Sequence, residues 1–502
     1  MPMPPDTFYL HDWLGFHAGR TPGKTALVDA AKGGASVTWQ EWNGRVRSLA
    51  SRLHTDGLRP GDRVAWFGTN SIGFLTGYLA CSMGGHVFVP FNYRWAPDEV
   101  AFALRDSQPR IIFTDPEFES ALNAVAGSIP VVPAAGGDPG LVLDTGYQSP
   151  PLDPGMTAGL FYTSGTTGRP KAAICTHRRI WWNTRNAVDV FGMTGADAAL
   201  LATPLFHTGA LYTQFHPVLA AGGTAILLDR FEPESYLRTI ASNGVTITFA
   251  VPTMMEQLLQ TGWLDRLPPR HLRFLYVAGA AATAPLVEAY ESRGIPLRQG
   301  YGTTETNMIA CMLHGEVRGR PASVGRIAPN WEVRLVDDEG RDVKPGQTGE
   351  IAVRGPGMFS GYLNRPEETA AALRDGYFHT GDLGCFDQDG FLYISGRKKE
   401  MYISGGENVY PAEVERVLAE HPSVAEAAVT GVPDPRWGET GGALVVIRPG
   451  HRFDAEALRL HAREKLAHYK VPARYRQAGA LPRNALGKVV KSQVRDILTG
   501  DG

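Results

Sequence analysis

Residues Thr163-Ser164-Gly165-Thr166-Thr167-Gly168-Arg169-Pro170-Lys171 gather two glycines, four hydroxyls and a lysine into one short loop. Glycine lets a backbone turn its N–H groups toward a ligand, Ser and Thr hydroxyls donate to phosphate oxygens, and Lys171 brings a mobile positive charge. The composition suits a polyphosphate. An ordinary Ser/Thr/Gly hairpin turn has similar composition, and the lysine together with the motifs below separates the two readings. The GxxxxGK[ST] spacing of a Walker loop is absent, because Arg169 and Pro170 stand between Gly168 and Lys171 and Ala172 follows the lysine. Leu160-Phe161-Tyr162 reads as a strand entering the loop and Ala172-Ala173-Ile174-Cys175 as a strand leaving it, so no helix N-terminus forms the phosphate site.

The rest of the chain is consistent with a folded small-molecule enzyme of more than one domain. It has 502 residues, 43% of them hydrophobic, which is ample for a sizeable core. Forty-nine basic residues face 51 acidic ones, for a net charge of −2. No run of Lys and Arg is present to hold nucleic acid or anionic lipid. The first residues carry neither a basic leader nor an apolar segment, so no secretory signal is expected. The most apolar span, 74–91, is broken by Gly77, Gly84, Gly85, His86 and Pro90, and reads as a buried helix followed by a strand, not a membrane span. Cys81, Cys175, Cys311 and Cys385 are scattered, without metal-ligand or disulfide spacing, and suit a reducing cytoplasm.

Helical and strand patterns alternate through the first four hundred residues, the signature of α/β layering. Trp42, Val46, Leu49, Ala50 and Leu53 mark a helix over 41–58, ahead of a strand at 64–67; a second such unit covers 241–249. The polar stretch Gly396-Arg397-Lys398-Lys399-Glu400 is the predicted domain boundary, with a charged surface loop as the alternative. Beyond it, Pro411 at a helix N1 position, strands at 424–429 and 443–447, and a helix capped by Asp454 predict a compact α+β unit. The expected architecture is a large N-terminal α/β domain of several sheet-containing subdomains, 1–396, and a small α+β domain, 397–502.

Two further segments carry nucleotide chemistry. Tyr301-Gly302-Thr303-Thr304-Glu305-Thr306 places a ring, a glycine turn, hydroxyls and a carboxylate in succession. The ring can stack on adenine, a threonine hydroxyl can bond an α-phosphate, and the carboxylate suits a hard cation such as Mg²⁺. Tyr377-Phe378-His379-Thr380-Gly381-Asp382-Leu383 offers Asp382 to both hydroxyls of a ribose, although Gly-Asp is also a common turn pair.

In their order, these motifs resemble the adenylate-forming superfamily of acyl-CoA synthetases, luciferases and peptide-synthetase adenylation domains, over residues 22–491. The resemblance implies that Thr163, Ser164, Gly165, Thr166, Thr167, Gly168 and Lys171 hold the pyrophosphate of ATP. It assigns Tyr301, Gly302, Thr303, Asp382 and Arg397 to the nucleoside side, and Thr304, Glu305 and Lys488 to the reacting centre. It makes the C-terminal domain mobile about a hinge at Lys399, so that Lys488 bridges the substrate carboxylate and the α-phosphate. Gly405 and Gly406 line a pantetheine tunnel in the coenzyme A-using branch, though two glycines also suit a plain turn, and Trp437 matches a coenzyme A contact. His207, in Pro204-Leu205-Phe206-His207-Thr208-Gly209, is placed beside the acid carboxylate, where peptide-synthetase domains carry Asp; a satisfied core histidine is the plainer reading.

By the same correspondence Trp182, Phe206, Thr208, Gly209, Ala278, Gly279, Ala280, Gly300, Met308 and Ile309 line the acid pocket. Malonate-specific relatives place an arginine just before the tyrosine motif, where this chain has Gln299-Gly300, with Arg298 too early. The expected reaction is ATP-dependent, Mg²⁺-assisted ligation of an apolar monocarboxylic acid, fatty or aromatic, to coenzyme A, by a monomer or homodimer. Transfer to a carrier-protein thiol and a non-catalytic acyl-adenylate sensor are the alternatives.

Overall fold

The computed structural model describes residues 7–31, 33–134, 146–163, 170–280, 282–313, 315–404, 407–435, 438–483 and 488–500. Two sheets share the N-terminal four hundred residues. The six-stranded sheet runs Val131–Pro133, Ile111–Thr114, Arg63–Phe67, Val87–Phe91, Thr157–Thr163 and Lys171–Thr176 across its width, parallel except for the last pair. That pair is the hairpin expected around the phosphate loop. The second sheet has fourteen strands. Its parallel part is ordered Leu297–Thr303, Phe274–Val277, Ile247–Ala250, Ala198–Leu201, Thr224–Leu227 and Thr25–Asp29. Beyond Leu297–Thr303 it continues antiparallel through Asn307–Cys311, Ser323–Ile327, Leu392–Arg397 and Tyr377–Phe386.

The apolar 74–91 span divides into the helix Ile72–Gly84, buried on every side, and the buried strand Val87–Phe91. An all-apolar helix belongs in an interior, and Trp13, Trp39, Trp42 and Trp66 fill the space around it. The preceding helix is Trp39–Thr55, starting earlier than its apolar stripe because Thr38 and Glu41 form a capping box: Glu41 N–H donates to Thr38 Oγ1 at 3.3 Å and Thr38 N–H to Glu41 Oε2 at 2.8 Å. All four cysteines are free thiols. No described helix is long and apolar enough to cross a membrane.

The C-terminal segment builds a separate five-stranded sheet from Tyr402–Ser404, Glu407–Val409, Val424–Asp434, Gly438–Ile447 and Arg474–Gln477. Helices Pro411–Ala419 and Ala455–Lys465 cover it, burying Val414, Val417, Leu418, Leu458 and Ala462 in a core of its own. Pro411 is at N1, and Asp454 caps the second helix by accepting from Glu456 and Ala457 N–H at 3.0 Å each. The join to the larger sheet is one 3₁₀ turn, Lys398–Glu400, which contains Lys399.

Candidate active site

The phosphate-loop strands pair Thr163 with Lys171, so that Lys171 stands at the mouth of the hairpin. Its ammonium forms an ion pair with Glu368 and lies 5.4 Å from the centre of the Tyr362 ring. The Tyr362 hydroxyl in turn donates to Glu305 Oε1 at 2.7 Å, and burial beside that carboxylate pushes its pKa up. Lys171 is therefore linked through one tyrosine to the glutamate of the second motif, 134 positions later in the sequence. Ser164, Gly165, Thr166, Thr167 and Gly168 lie outside the described residues, as do Gly405, Gly406 and Trp437.

Tyr301, Gly302 and Thr303 end the strand Leu297–Thr303, which turns back at once into Asn307–Cys311. Gly302 was expected in a turn. It instead sits within the strand, where the Asn307 backbone closes over it: a Cβ on Gly302 would be 1.5 Å from the Asn307 carbonyl oxygen. The turn itself is pinned by hydroxyls, with Glu305 N–H donating to Thr303 Oγ1 and Thr303 N–H to Thr306 Oγ1, each at 3.2 Å. Sequence reasoning missed the cation beneath it. Arg179, fully buried on the helix His177–Phe191, donates to the carbonyl oxygens of Thr304 and, at 3.0 Å, of Gly357, with its guanidinium 5.6 Å from the Tyr212 ring centre. In sequence, Arg178-Arg179 looks like a solvated basic pair; only the helical phase shared with Ile180 and Asn183 could have pointed inward.

Asp382 lies within the strand Tyr377–Phe386 and pairs in register with Arg397 on the adjacent strand. It accepts from the Tyr301 hydroxyl at 2.7 Å and is 3.2 Å from Arg397 Nε. Burial raises its pKa, and Arg397 and the Tyr301 hydrogen bond pull the other way. Lys488 reaches the same place from the C-terminal segment. Its side chain is open to solvent yet crowded by protein, and this desolvation, reinforced by Arg397, lowers its pKa against the opposing pull of Asp382 and Glu305. Tyr301, Glu305, Asp382, Arg397 and Lys488, from widely separated stretches of sequence, thus lie near one another. Glu305 is a hard carboxylate of the kind Mg²⁺ accepts. Among the described residues no cluster of three His, Cys, Asp or Glu exists, so a cation here would complete its shell with phosphate oxygens and water.

His207 lies near Lys488 as well. Burial, with Lys488 and Arg94 nearby, depresses its pKa to about 3, and its Nε2 has no hydrogen-bond partner among the described residues. The Phe206 ring lies tilted against that of His207, 4.4 Å between centres, and meets Tyr93 edge-on. Thr208 and Gly209 follow in a short helical turn, where a Cβ on Gly209 would touch the Phe249 ring at 3.6 Å. Phe249 is the register partner of Tyr276, and the Tyr276 hydroxyl covers Gly300 so closely that a Cβ there would be 2.2 Å away. Ala278, Gly279 and Ala280 leave the end of the Tyr276 strand, and the last two are exposed. Met308 and Ile309 are buried in the antiparallel return. Trp182 has a different neighbourhood from the other residues expected to line the acid pocket, half-exposed and edge-on to Trp181, which packs on Phe8. Phe249 and Tyr276, both missed in the sequence, read there as ordinary core strand residues.

Residues 16–363 match the AMP-binding enzyme family and residues 413–488 the AMP-binding enzyme C-terminal domain. A feruloyl-CoA synthase of Amycolatopsis sp is 40% identical over 491 residues, covering 97% of this chain and 98% of the relative. An indoleacetate–CoA ligase of Aromatoleum aromaticum is 37% identical over 502 residues, with coverage of 97% and 98%. Among solved structures, ATP-bound MatB from Rhodopseudomonas palustris superposes with a TM-score of 0.89 at 31% identity, covering 97% of this chain and 98% of that one.

Proposed function

Because the chain belongs to the AMP-binding enzyme family and is an AMP-forming acid–CoA ligase, we propose that its acid is an apolar monocarboxylate with an aromatic ring. The observation that carries this reading is the floor of the acid side. Phe249 and Tyr276 present neighbouring rings, 5.8 Å apart, at the carboxyl ends of parallel strands, with Gly209 and Gly300 set against them. Ligands of open α/β sheets bind at those strand ends. Arg298, the nearest arginine in sequence, leans the other way: it donates to the Val190 carbonyl oxygen at 2.9 Å and stacks at 4.3 Å on Phe274. A second carboxylate on such a floor would go unpaired, at a cost of roughly several kcal/mol. The relatives named for feruloyl-CoA and indoleacetate support the aromatic choice.

In the first half-reaction a carboxylate oxygen bonds to the α-phosphorus of ATP and the α–β bridging P–O bond breaks, giving acyl-AMP and pyrophosphate. Lys171 and the adjacent hydroxyls would hold the leaving pyrophosphate. Lys488 would neutralise charge that develops between carboxylate and α-phosphate, a fixed charge placed before reaction. Asp382, aligned by Tyr301 and Arg397, would accept from the ribose hydroxyls, and Glu305 would hold Mg²⁺, which supplies charge neutralisation on the phosphates. Neutral His207 would donate to the acid carboxylate. In the second half-reaction the coenzyme A sulfur bonds to the acyl carbon, AMP leaves, and the thiol proton is lost. The division into 1–396 and 397–502, with Lys399 as hinge, belongs to the same proposal and gives Lys488 a way out of the site between steps.

The test is ATP–pyrophosphate exchange and coenzyme A consumption with acetate, malonate, octanoate, benzoate and a phenylpropenoate. The aryl acids are expected to exceed acetate and malonate by at least about a hundred-fold in kcat/KM, as loss of several buried apolar contacts implies. A clear preference for acetate or malonate overturns the assignment.

A further inference from the structure

Tyr276 carries a polar group that the mechanism above does not use. The residue is 1% exposed, packed between Phe191 at 5.1 Å and Phe249 at 5.8 Å, yet no described residue hydrogen-bonds its hydroxyl. A tyrosine hydroxyl with no protein partner is available to a water or a ligand. Its direction is informative. Tyr276 pairs in register with Arg298, but its hydroxyl reaches forward to Gly300, two residues nearer the carboxyl ends of the strands. Gly300 immediately precedes Tyr301 of the nucleotide motif, and Gly209, two residues after His207, backs onto the same Phe249 ring. The hydroxyl thus belongs to the floor of the acid side, between two aromatic faces. Only a glycine at 300 leaves the hydroxyl its place.

We propose that the Tyr276 hydroxyl is a specificity determinant that hydrogen-bonds a ring hydroxyl at the far end of the acid, making phenolic aryl carboxylates the preferred substrates. The proposal rests on the aryl-acid reading above and refines it. A phenol both donates and accepts, and so complements the tyrosine O–H whichever way its proton points. An aryl acid without the hydroxyl would bury the same ring and leave Tyr276 unpaired. Sites built around such a bond discriminate far more strongly than sites that sense only an extra methylene.

The experiment compares matched pairs that differ by one hydroxyl, benzoate with 4-hydroxybenzoate and cinnamate with 4-hydroxycinnamate, in wild type and Tyr276→Phe. Wild type is expected to favour the hydroxylated member of the pair it turns over by at least about tenfold in kcat/KM. Tyr276→Phe should lower kcat/KM for that member by about ten- to a hundred-fold, more than for the unsubstituted acid, so that the wild-type preference shrinks, and an unchanged circular-dichroism melt reports an intact fold. If wild type has no preference, or if its preference survives in Tyr276→Phe while aryl acids still turn over, the hydroxyl's role is overturned and the aryl-acid reading stands. If wild type consumes octanoate and neither aryl pair, the aryl-acid reading fails and this proposal with it.

Discussion

Gly302→Ala isolates the contact on which the nucleotide motif depends. The added methyl carbon would lie 1.5 Å from the Asn307 carbonyl oxygen, 2.4 Å from its carbon and 3.1 Å from Met308 N, all backbone atoms that cannot rotate away. Non-bonded carbon does not come within 3.0 Å of such atoms, so the two strands must separate locally by about 1.5 Å or more. Asn307 cannot absorb this, because it already stands at φ 59° in the left-handed region. The displacement passes to Thr304 and Glu305, which lie between the two strands, and through Tyr301 to Asp382. Misplacing reacting groups by about 1 Å costs on the order of a hundred-fold in rate. Overpacking of this kind costs about 1–3 kcal/mol in stability, so the protein stays folded with a lower melting temperature. Pyrophosphate exchange at saturating acid is therefore expected to fall at least about a hundred-fold. Gly319→Ala, where a Cβ meets nothing within 4 Å, serves as the control and should leave exchange unchanged. Exchange within threefold of wild type in Gly302→Ala would refute the close-approach argument.

Lys488→Ala should slow adenylation by at least about a hundred-fold while thioester formation from supplied acyl-AMP survives; equal loss of both half-reactions would count against domain alternation. Since the Lys488 pKa is lowered, its charge is lost at a lower pH than for an ordinary lysine, and the alkaline limb of adenylation should shift upward when Arg397→Gln removes a nearby positive charge; an unmoved limb assigns it to another group. Arg179→Met leaves the Thr304 and Gly357 carbonyls without their donor and should cut exchange about tenfold or more, and Arg179→Lys should fail to restore it, because one ammonium does not reproduce a guanidinium fork; wild-type kcat in Arg179→Lys would end that argument.

The elements most legible in the sequence were those whose signals are local. The hairpin at Thr163 and Lys171, the buried helix at Ile72–Gly84, Pro411 at a helix start and the Asp454 cap each follow from a few adjacent residues. Helix boundaries were harder even there: the apolar stripe alone placed the start of Trp39–Thr55 two residues late, although Thr38-Trp39-Gln40-Glu41 has the spacing of a capping box. Gly302 was misread because a glycine between an aromatic and two threonines looks like a turn, whereas its real constraint is a carbonyl five residues on, across a strand pair.

The two halves of the site differ in legibility for a physical reason. Binding phosphate, ribose and a divalent cation restricts residues to a few polar types, and the chain supplies them in contiguous runs, so Lys171, Glu305 and Asp382 could be singled out one motif at a time. Even so, nothing local says that Lys488 reaches Asp382 and Glu305, and that placement came from the resemblance. The acid side binds by shape, and almost any apolar residue serves. The proposed floor comes from four separate segments, at Gly209, Phe249, Tyr276 and Gly300, each unremarkable in its own stretch of sequence. Register alone assembles them: Phe249 opposite Tyr276, and Tyr276 two residues behind Gly300 on adjacent parallel strands. A tyrosine in an apolar strand then reads as core until the sheet is known, and becomes a candidate specificity group only when its hydroxyl is found at the strand ends facing a glycine.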